Sequence, residues 1–347
     1  MVFATSSTRV FVCRENRAGE QFLTKLLEVS DLTVNFNTER GTIYALDRIN
    51  LALDTGEVLA LVGESGSGKT TLGRAILNII PSPAGEIKEG RILFQGKNIL
   101  EMEESECNLL VRGKTITLIP QDPFGSANPL FTIGTQLKDL LKASGLHEKE
   151  MKERITTLLS QLQLPADTGL LRKYPHELSG GQLQRVMIAA SLLPNPSLII
   201  ADEPTTSLDV TVEAQILLLL RRLVKERQVS VLYITHNLAV ASQVSHRITV
   251  LYAGQVMESA PTNLFFKKTA HPYSKKLLQC LPNSKGEIRD IGGSVPSLIH
   301  PPEGCRFHPR CEEAHTRCRQ EKPKMIELEL GHWVSCHDQT RKKGREP

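Results

Sequence analysis

The stretch Gly63-Glu64-Ser65-Gly66-Ser67-Gly68-Lys69-Thr70 constrains this chain more than any other. It fits G-x-x-x-x-G-K-[ST], a loop that wraps phosphate. Its glycines let backbone N–H groups close around an anion where a Cβ would block the approach. Lys69 supplies a point charge for β- and γ-phosphates, and the Thr70 hydroxyl is placed for Mg²⁺. The flanks agree. Val58-Leu59-Ala60-Leu61-Val62 is a short apolar run that predicts a buried strand. Thr71 to Leu77 predicts a helix whose N-terminal dipole faces the phosphates.

At 347 residues the chain has room for about two or three domains of ordinary size. It is 40% apolar and 23% charged, an ordinary globular composition. A formal charge of +4 is small for this length and does not predict a nucleic-acid binder. No run approaches the ~20 apolar residues that cross a bilayer, and Leu217 to Leu220 is far too short. The N-terminus lacks an apolar h-region followed by a small-residue cleavage site. The expected location is therefore the cytosol, free or held to the cytoplasmic face of a membrane by partners. Residues 1–25 are polar and without periodicity and are expected to be disordered. The basic end, residues 339–347, is expected to be a solvated tail.

Along the chain, Leu27-Glu28-Val29, Leu32 to Phe36, Ile43 to Leu46 and Ile49 to Leu53 predict an antiparallel β lead-in to the loop. An adenine ring wants an aromatic face, and this lead-in offers Phe36, the preferred platform, or Tyr44. Arg91 to Phe94 is a further strand, and Ile116 to Ile119 is a strand running towards Gln121. Residues 125–178 turn helical and predict an inserted helical subdomain. Within it Met151, Ile155, Leu158, Leu159 and Leu162 fall on one helix face. Ser179 has the chemistry of an N-cap for a helix running to about Leu193. Leu198 to Ala201 is a strand that ends in Asp202-Glu203, and Val210 to Arg227 is a helix. Val229 to Thr235 is a strand that ends at His236, and a hairpin turns about Ala253-Gly254. Strands alternating with helices predict a parallel sheet covered on both faces, with ligands beyond the carboxyl ends of its strands. Gln121, Asp202, Glu203, His236 and the phosphate loop all follow such ends.

Leu178-Ser179-Gly180-Gly181-Gln182 resembles the signature of ABC-type ATPases. The ordered set of phosphate loop, Gln121, signature, Asp202-Glu203, Ser207-Leu208-Asp209 and His236 is similar to that family over about residues 27–260. The resemblance implies an α/β fold with a P-loop NTPase (ABC ATPase) core. It implies ATP and Mg²⁺ as ligands, with Thr70, Gln121 and Asp202 at the metal. It makes Glu203 the general base, with His236 and Gln121 steadying the attacking water. It places Ser179, Gly180, Gly181 and Gln182 against the nucleotide of a second cassette, and Asp209 at the interface between the two. One chain carries one cassette, so the active species is expected to be a dimer.

After about residue 268 Pro and Gly become common, among them Pro282, Gly286, Gly292, Gly293, Pro301 and Pro302. This predicts an irregular extension. It carries Cys305, Cys311, Cys318 and Cys336 in the spacing C-x5-C-x6-C-x17-C. Four thiolates can take Zn²⁺ or an iron–sulfur cluster, and nearby His308, His315, His332 and His337 leave a mixed zinc site open. His271-Pro272-Tyr273 and Gly304-Cys305-Arg306-Phe307-His308-Pro309-Arg310-Cys311 look like the oligopeptide/dipeptide/nickel permease ATPases. That resemblance covers residues 269–338 and favours a [4Fe–4S] cluster. The cassette itself is expected over residues 26–268. The implied partners are two transmembrane permease subunits, a second ABC ATPase (identical or paralogous) and an extracytoplasmic substrate-binding protein, with no nucleic acid. The implied cargo is di- or oligopeptide. The alternatives are the same machine importing nickel chelates or oligosaccharides, and a soluble ABC ATPase acting on nucleic acid or ribosomes.

Overall fold

The computed structural model describes residues 25–142, 146–165, 168–205, 209–281 and 291–343. Ser207 and Leu208 of the interface motif, most of the N-terminal stretch, Pro282, Gly286 and the last four residues of the basic tail lie outside them.

The lead-in is four-stranded. Strands β1 (Lys25–Thr38) and β2 (Gly41–Asp54) form one long hairpin. Each merges what the sequence divides into two runs, because register shifts carry the ladder past the polar breaks. Strand β4 (Gly85–Phe94) pairs with β1, and the two-residue β5 (Lys97–Asn98) closes the edge.

The second sheet holds the site. It comprises β3 (Val58–Val62), β6 (Ile116–Ile119), β7 (Leu198–Asp202), β8 (Ser230–Thr235), β9 (Arg247–Tyr252), β10 (Gln255–Pro261), β11 (Met325–Glu329) and β12 (His332–Ser335). Their order across the sheet is β11-β12-β10-β9-β3-β8-β7-β6. Strands β9, β3, β8, β7 and β6 are mutually parallel. Every residue of β3, β7 and β8 is buried, as a strand covered on both faces must be.

Helix α1 (Lys69–Ile76) buries Leu72, Ala75 and Ile76 against this sheet, one stripe at helical spacing. A short helix α2 (Glu104–Leu110) follows the lead-in. Between β6 and β7 lie α3 (Pro123–Ser126), α4 (Ile133–Leu141), α5 (Glu148–Gln161), α6 (Thr168–Arg172) and α7 (Gly180–Leu192). The apolar face of α5 expected from its spacing is the buried one: Ile155, Leu158 and Leu159 share a core with Leu137, Leu183 and Val186. Helices α8 (Val210–Arg227) and α9 (Leu238–Val244) flank β8.

The C-terminal extension is more regular than its composition predicts. After α10 (Thr262–Lys268) closes the cassette, helices α11 (Pro272–Gln279), α12 (Thr316–Gln320) and α13 (His337–Lys343) are formed. The hairpin β11–β12 turns at Gly331, whose φ of +74° suits glycine, and β12 pairs with β10 to lengthen the main sheet. Pro and Gly crowd residues 282–304, while 325–335 is free of both except at that turn. Tyr252, Tyr273, Phe265, Phe307 and Cys305 form one core that spans the sheet and the extension.

A buried carboxylate ties these parts together. Glu258 on β10 is fully buried. It accepts hydrogen bonds from the Ala270 and His271 N–H groups at 2.8 and 2.9 Å, and its Oε1 lies 2.8 Å from His332 Nε2 on β12. Removing one partner of such a network leaves buried polar groups unmatched. The Glu258→Ala variant should lose about 3 kcal/mol of unfolding free energy. Urea denaturation monitored by circular dichroism checks this, and Glu258→Gln should lose less.

Candidate nucleotide-binding site

Parallel pairing brings the ends of four strands level. Val62 is opposite Thr235, Asp202 opposite Ile234, and Ala201 opposite Ile119. The residues that follow β3, β8, β7 and β6 therefore share one edge. They are the loop Gly63–Thr70, His236, Glu203 and Gln121.

The loop depends on close backbone contact. A Cβ at Gly63 would stand 2.1 Å from the Leu251 carbonyl oxygen. Gly68 has φ +103°, and a Cβ there would meet the Ala45 carbonyl at 2.8 Å. Gly68 is also the N-cap of α1, so no side chain occupies the helix N-terminus. Those amides remain available to an anion. Lys69 Nζ donates to the Gly63 and Glu64 carbonyls at 2.8 and 2.9 Å, curling over the loop. Burial pushes its pKa down, opposed by the carboxylates of Glu203, Asp202 and Glu64. Ser65 and Gly66 are exposed on the rim of the loop, Ser67 is buried beneath it, and Thr71 sits in the first turn of α1.

Beside the loop, Thr70 Oγ1 donates to Asp202 Oδ1 at 3.2 Å. Asp202 is 8% exposed, and burial pushes its pKa up. A hydroxyl and a buried carboxylate side by side are hard oxygen donors of the kind Mg²⁺ takes. Next to them, Gln121 Nε2 donates to Glu203 Oε2 at 3.2 Å, and His236 Nδ1 lies 3.1 Å from Glu203 Oε1. Glu203 has φ +45°, a strained conformation costing about 1–3 kcal/mol. Its N–H donates to the Ile234 carbonyl at 2.9 Å, which holds it there. A carboxylate bracketed by an amide and an imidazole can orient a water and accept its proton.

The remaining predicted residues lie elsewhere. Ser179 is exposed at the N-cap of α7, where its Oγ accepts from the Gln182 N–H and the Gln182 side chain accepts from the Ser179 N–H. This reciprocal box leaves Gly180 and Gly181 at the open start of the helix. A Cβ on Gly181 would stand 2.9 Å from Val212 of α8. Asp209 caps α8 through the Thr211 and Val212 N–H groups. Phe36 is half-buried with its ring against Gly85, and Tyr44 is 41% exposed.

Cys305, Cys311, Cys318 and Cys336 line one cavity with His271, Phe307, His308 and His337. Burial pushes the Cys305 thiol up to about 12 and raises Cys311 and Cys336 as well. Among the described residues no three His, Cys, Asp or Glu side chains are arranged to hold a single metal ion.

Two arginines of the extension reach the cassette and are not identifiable as site residues from spacing. Arg306 Nη2 lies 3.0 Å from Asp47 Oδ2, and its Nη1 donates to the Ala253 carbonyl. Arg310 Nη1 contacts the Glu64 carboxylate. The sequence hint was the density of arginine between the cysteines, but nothing in it names the acceptors.

Residues 46–206 match the ABC transporter family, and residues 257–318 match the oligopeptide/dipeptide transporter C-terminal region. The chain is 41% identical to the oligopeptide transport ATP-binding protein OppD of Bacillus subtilis, over 90% of this chain and 88% of that one. It is 40% identical to the dipeptide transport ATP-binding protein DppD of Escherichia coli, over 90% and 96%. Among solved structures it resembles the cassette MJ0796, a dimer in a post-hydrolysis state bound to ADP and Pi. The TM-score is 0.61 and the identity 28%, covering 68% of this chain and 98% of that one. It also resembles CbiO1 of Clostridium perfringens, part of the transporter complex CbiONQ, with a TM-score of 0.59 and 28% identity over 70% and 91%. Fold, ordered motifs and the matched C-terminal region agree, and the chain belongs to the ATP-binding proteins of the oligopeptide/dipeptide ABC transporter family.

Proposed function

We propose that this chain is the ATP-hydrolysing subunit of an importer that takes up di- or oligopeptides. The observation that carries the chemistry is the cluster at the strand ends, where Thr70 meets Asp202 and Glu203 meets Gln121 and His236, beside Lys69. The loop amides and Lys69 hold the β- and γ-phosphates. Thr70, Asp202 and Gln121 hold Mg²⁺, and Phe36, or Tyr44 in its place, stacks on adenine. Glu203 takes a proton from the attacking water, while His236 and Gln121 fix the carboxylate and the γ-phosphate relative to each other.

A second cassette completes each site. The N-caps Ser179 and Asp209 are exposed and Gly180 and Gly181 are half-buried at the start of α7, which suits contact with a nucleotide held by another copy or a paralogue. ATP closes the pair and hydrolysis releases it, a shift driven by differential affinity. The peptide cargo follows from 41% and 40% identity to OppD and DppD, named for oligopeptide and dipeptide transport. The same kinship calls for two membrane permeases and an extracytoplasmic binding protein. Among the described residues no helix is long and apolar enough to cross a membrane, so the chain attaches through those partners.

The four cysteines suit a [4Fe–4S] cluster. All four line one cavity, as ligands of a single group must. Cys305, Cys311, Cys318 and Cys336 would hold it, and it would supply a structural crosslink among residues 305–311, α12 and the end of β12.

Three measurements check these assignments. Glu203→Gln should lower ATP turnover by about 10²- to 10⁴-fold while ATP still binds, and unchanged turnover would remove Glu203 from its role. Iron and sulfide analysis of anaerobically purified protein should find about four of each per chain. One equivalent of zinc without visible absorbance would rule the cluster out. Co-purification from detergent-solubilised membranes should bring two multi-span permeases, whereas ribosomal proteins or nucleic acid in their place would overturn the transport assignment.

A further inference from the structure

The phosphate loop is held from outside the cassette core. Glu64 is its second residue, and both its main chain and its side chain are anchored by the C-terminal extension. The Glu64 N–H donates to Tyr273 Oη on α11 at 3.1 Å. Arg310 Nη1 lies 3.0 Å from Glu64 Oε1 and 3.0 Å from Oε2. The Arg310 side chain is 5% exposed and the Glu64 side chain 26%. The guanidinium is itself fixed. Its Nε donates to the Gly292 carbonyl at 2.9 Å, Nη1 reaches Tyr252 Oη at 3.3 Å, and its Cζ lies 5.7 Å from the Tyr252 ring centroid. Tyr252, Tyr273 and Phe307 pack ring against ring beneath it, with centroids 4.5 to 5.2 Å apart.

The charges make this contact consequential. Glu64 is an anion in a loop that must receive a polyanion. Its carboxylate also bears on the Lys69 ammonium, the group needed by the phosphates. An untethered Glu64 would repel the triphosphate and compete for Lys69. Arg310 neutralises the carboxylate and turns it towards the extension. A planar guanidinium set on an aromatic ring is well suited to hold a carboxylate in one place.

We infer that Arg310 is a positioning residue for nucleotide binding: by holding Glu64 it fixes the phosphate loop and removes a competing charge, so that the extension sets the affinity for ATP. The inference rests on the nucleotide site proposed above and deepens it. Arg310 precedes Cys311 on the wall of the cysteine cavity, and Lys276 Nζ on α11 donates to its carbonyl at 3.1 Å. The order of that segment is therefore transmitted to the loop.

The test uses the full chain, with binding of a fluorescent N-methylanthraniloyl ATP and steady-state ATPase kinetics measured for wild type, Arg310→Ala, Arg310→Lys, Glu64→Gln and the Arg310→Ala/Glu64→Gln double variant. Arg310→Ala should weaken nucleotide binding and raise KM by about tenfold, with kcat moving by less than about twofold. Arg310→Lys, which keeps the charge but not the planar guanidinium over Tyr252, should recover part of the loss. In the Glu64→Gln background the same Arg310→Ala change should cost less than about twofold, because its target charge is gone. Wild-type affinity in Arg310→Ala, or an equal loss in both backgrounds, would overturn the inference. If Arg310→Ala does not fold, Arg310→Gln replaces it and keeps part of the stem over Tyr252. A KM for Arg310→Gln equal to that of Arg310→Lys would again overturn the inference. Failure of the wild-type chain to bind the nucleotide would instead defeat the nucleotide site itself.

Discussion

Two backbones touch the phosphate loop where side chains would otherwise be. The Leu251 carbonyl fills the space beside Gly63, and the Ala45 carbonyl the space beside Gly68. Any Cβ at either position would push β9 or β2 away from β3 and α1. The loop therefore does more than present amides. It is the point at which the lead-in sheet, the parallel sheet and helix α1 are brought to close packing. Gly254 repeats the pattern, since its φ of +80° and the nearby Ala45 carbonyl leave no room for a side chain. Its N–H donates to the Ser67 carbonyl at 2.9 Å, linking the β9–β10 turn to the same loop.

From that point the chemistry follows from sheet geometry. Parallel strands deliver their carboxyl ends to one edge, so residues more than a hundred positions apart meet there. Thr70 and Asp202 meet from β3 and β7; Gln121, Glu203 and His236 meet from β6, β7 and β8. The strain at Glu203 is sustained because its N–H is bonded to β8 and its carboxylate is held from both sides. The signature and Asp209 instead begin helices α7 and α8, where Ser179 and Asp209 are the N-caps.

The extension behaves as part of the machine. It adds β12 and β11 to the main sheet, shares a core with β9 and β10, and sends Arg306 to Asp47 and Arg310 to Glu64. Burial alone would raise Asp47, but Lys322 and Arg306 hold its carboxyl below the usual range. The cysteine cavity is lined by chain neighbours of these arginines, Cys305, Phe307 and Cys311, and by His271 and Pro272 at the start of α11.

The order of amino acids alone determined the phosphate loop, the strands that end at Gln121, Asp202-Glu203 and His236, the capped helix at Ser179 and the helix from Val210. These depend on local patterns: glycine where a backbone must come close, apolar runs of strand length, and polar residues at helix starts. Their convergence was also legible, because alternating strands and helices admit few sheet topologies. Only the tertiary structure decided that Phe36 rests half-buried against Gly85, that β12 extends the core sheet, and that Arg310 reaches Glu64. Each of these depends on a partner far away in the chain. An arginine among cysteines carries no local mark of the carboxylate it will meet 246 positions upstream. Long-range pairing of charges is set by how whole elements pack, and packing is not written in any short window of sequence.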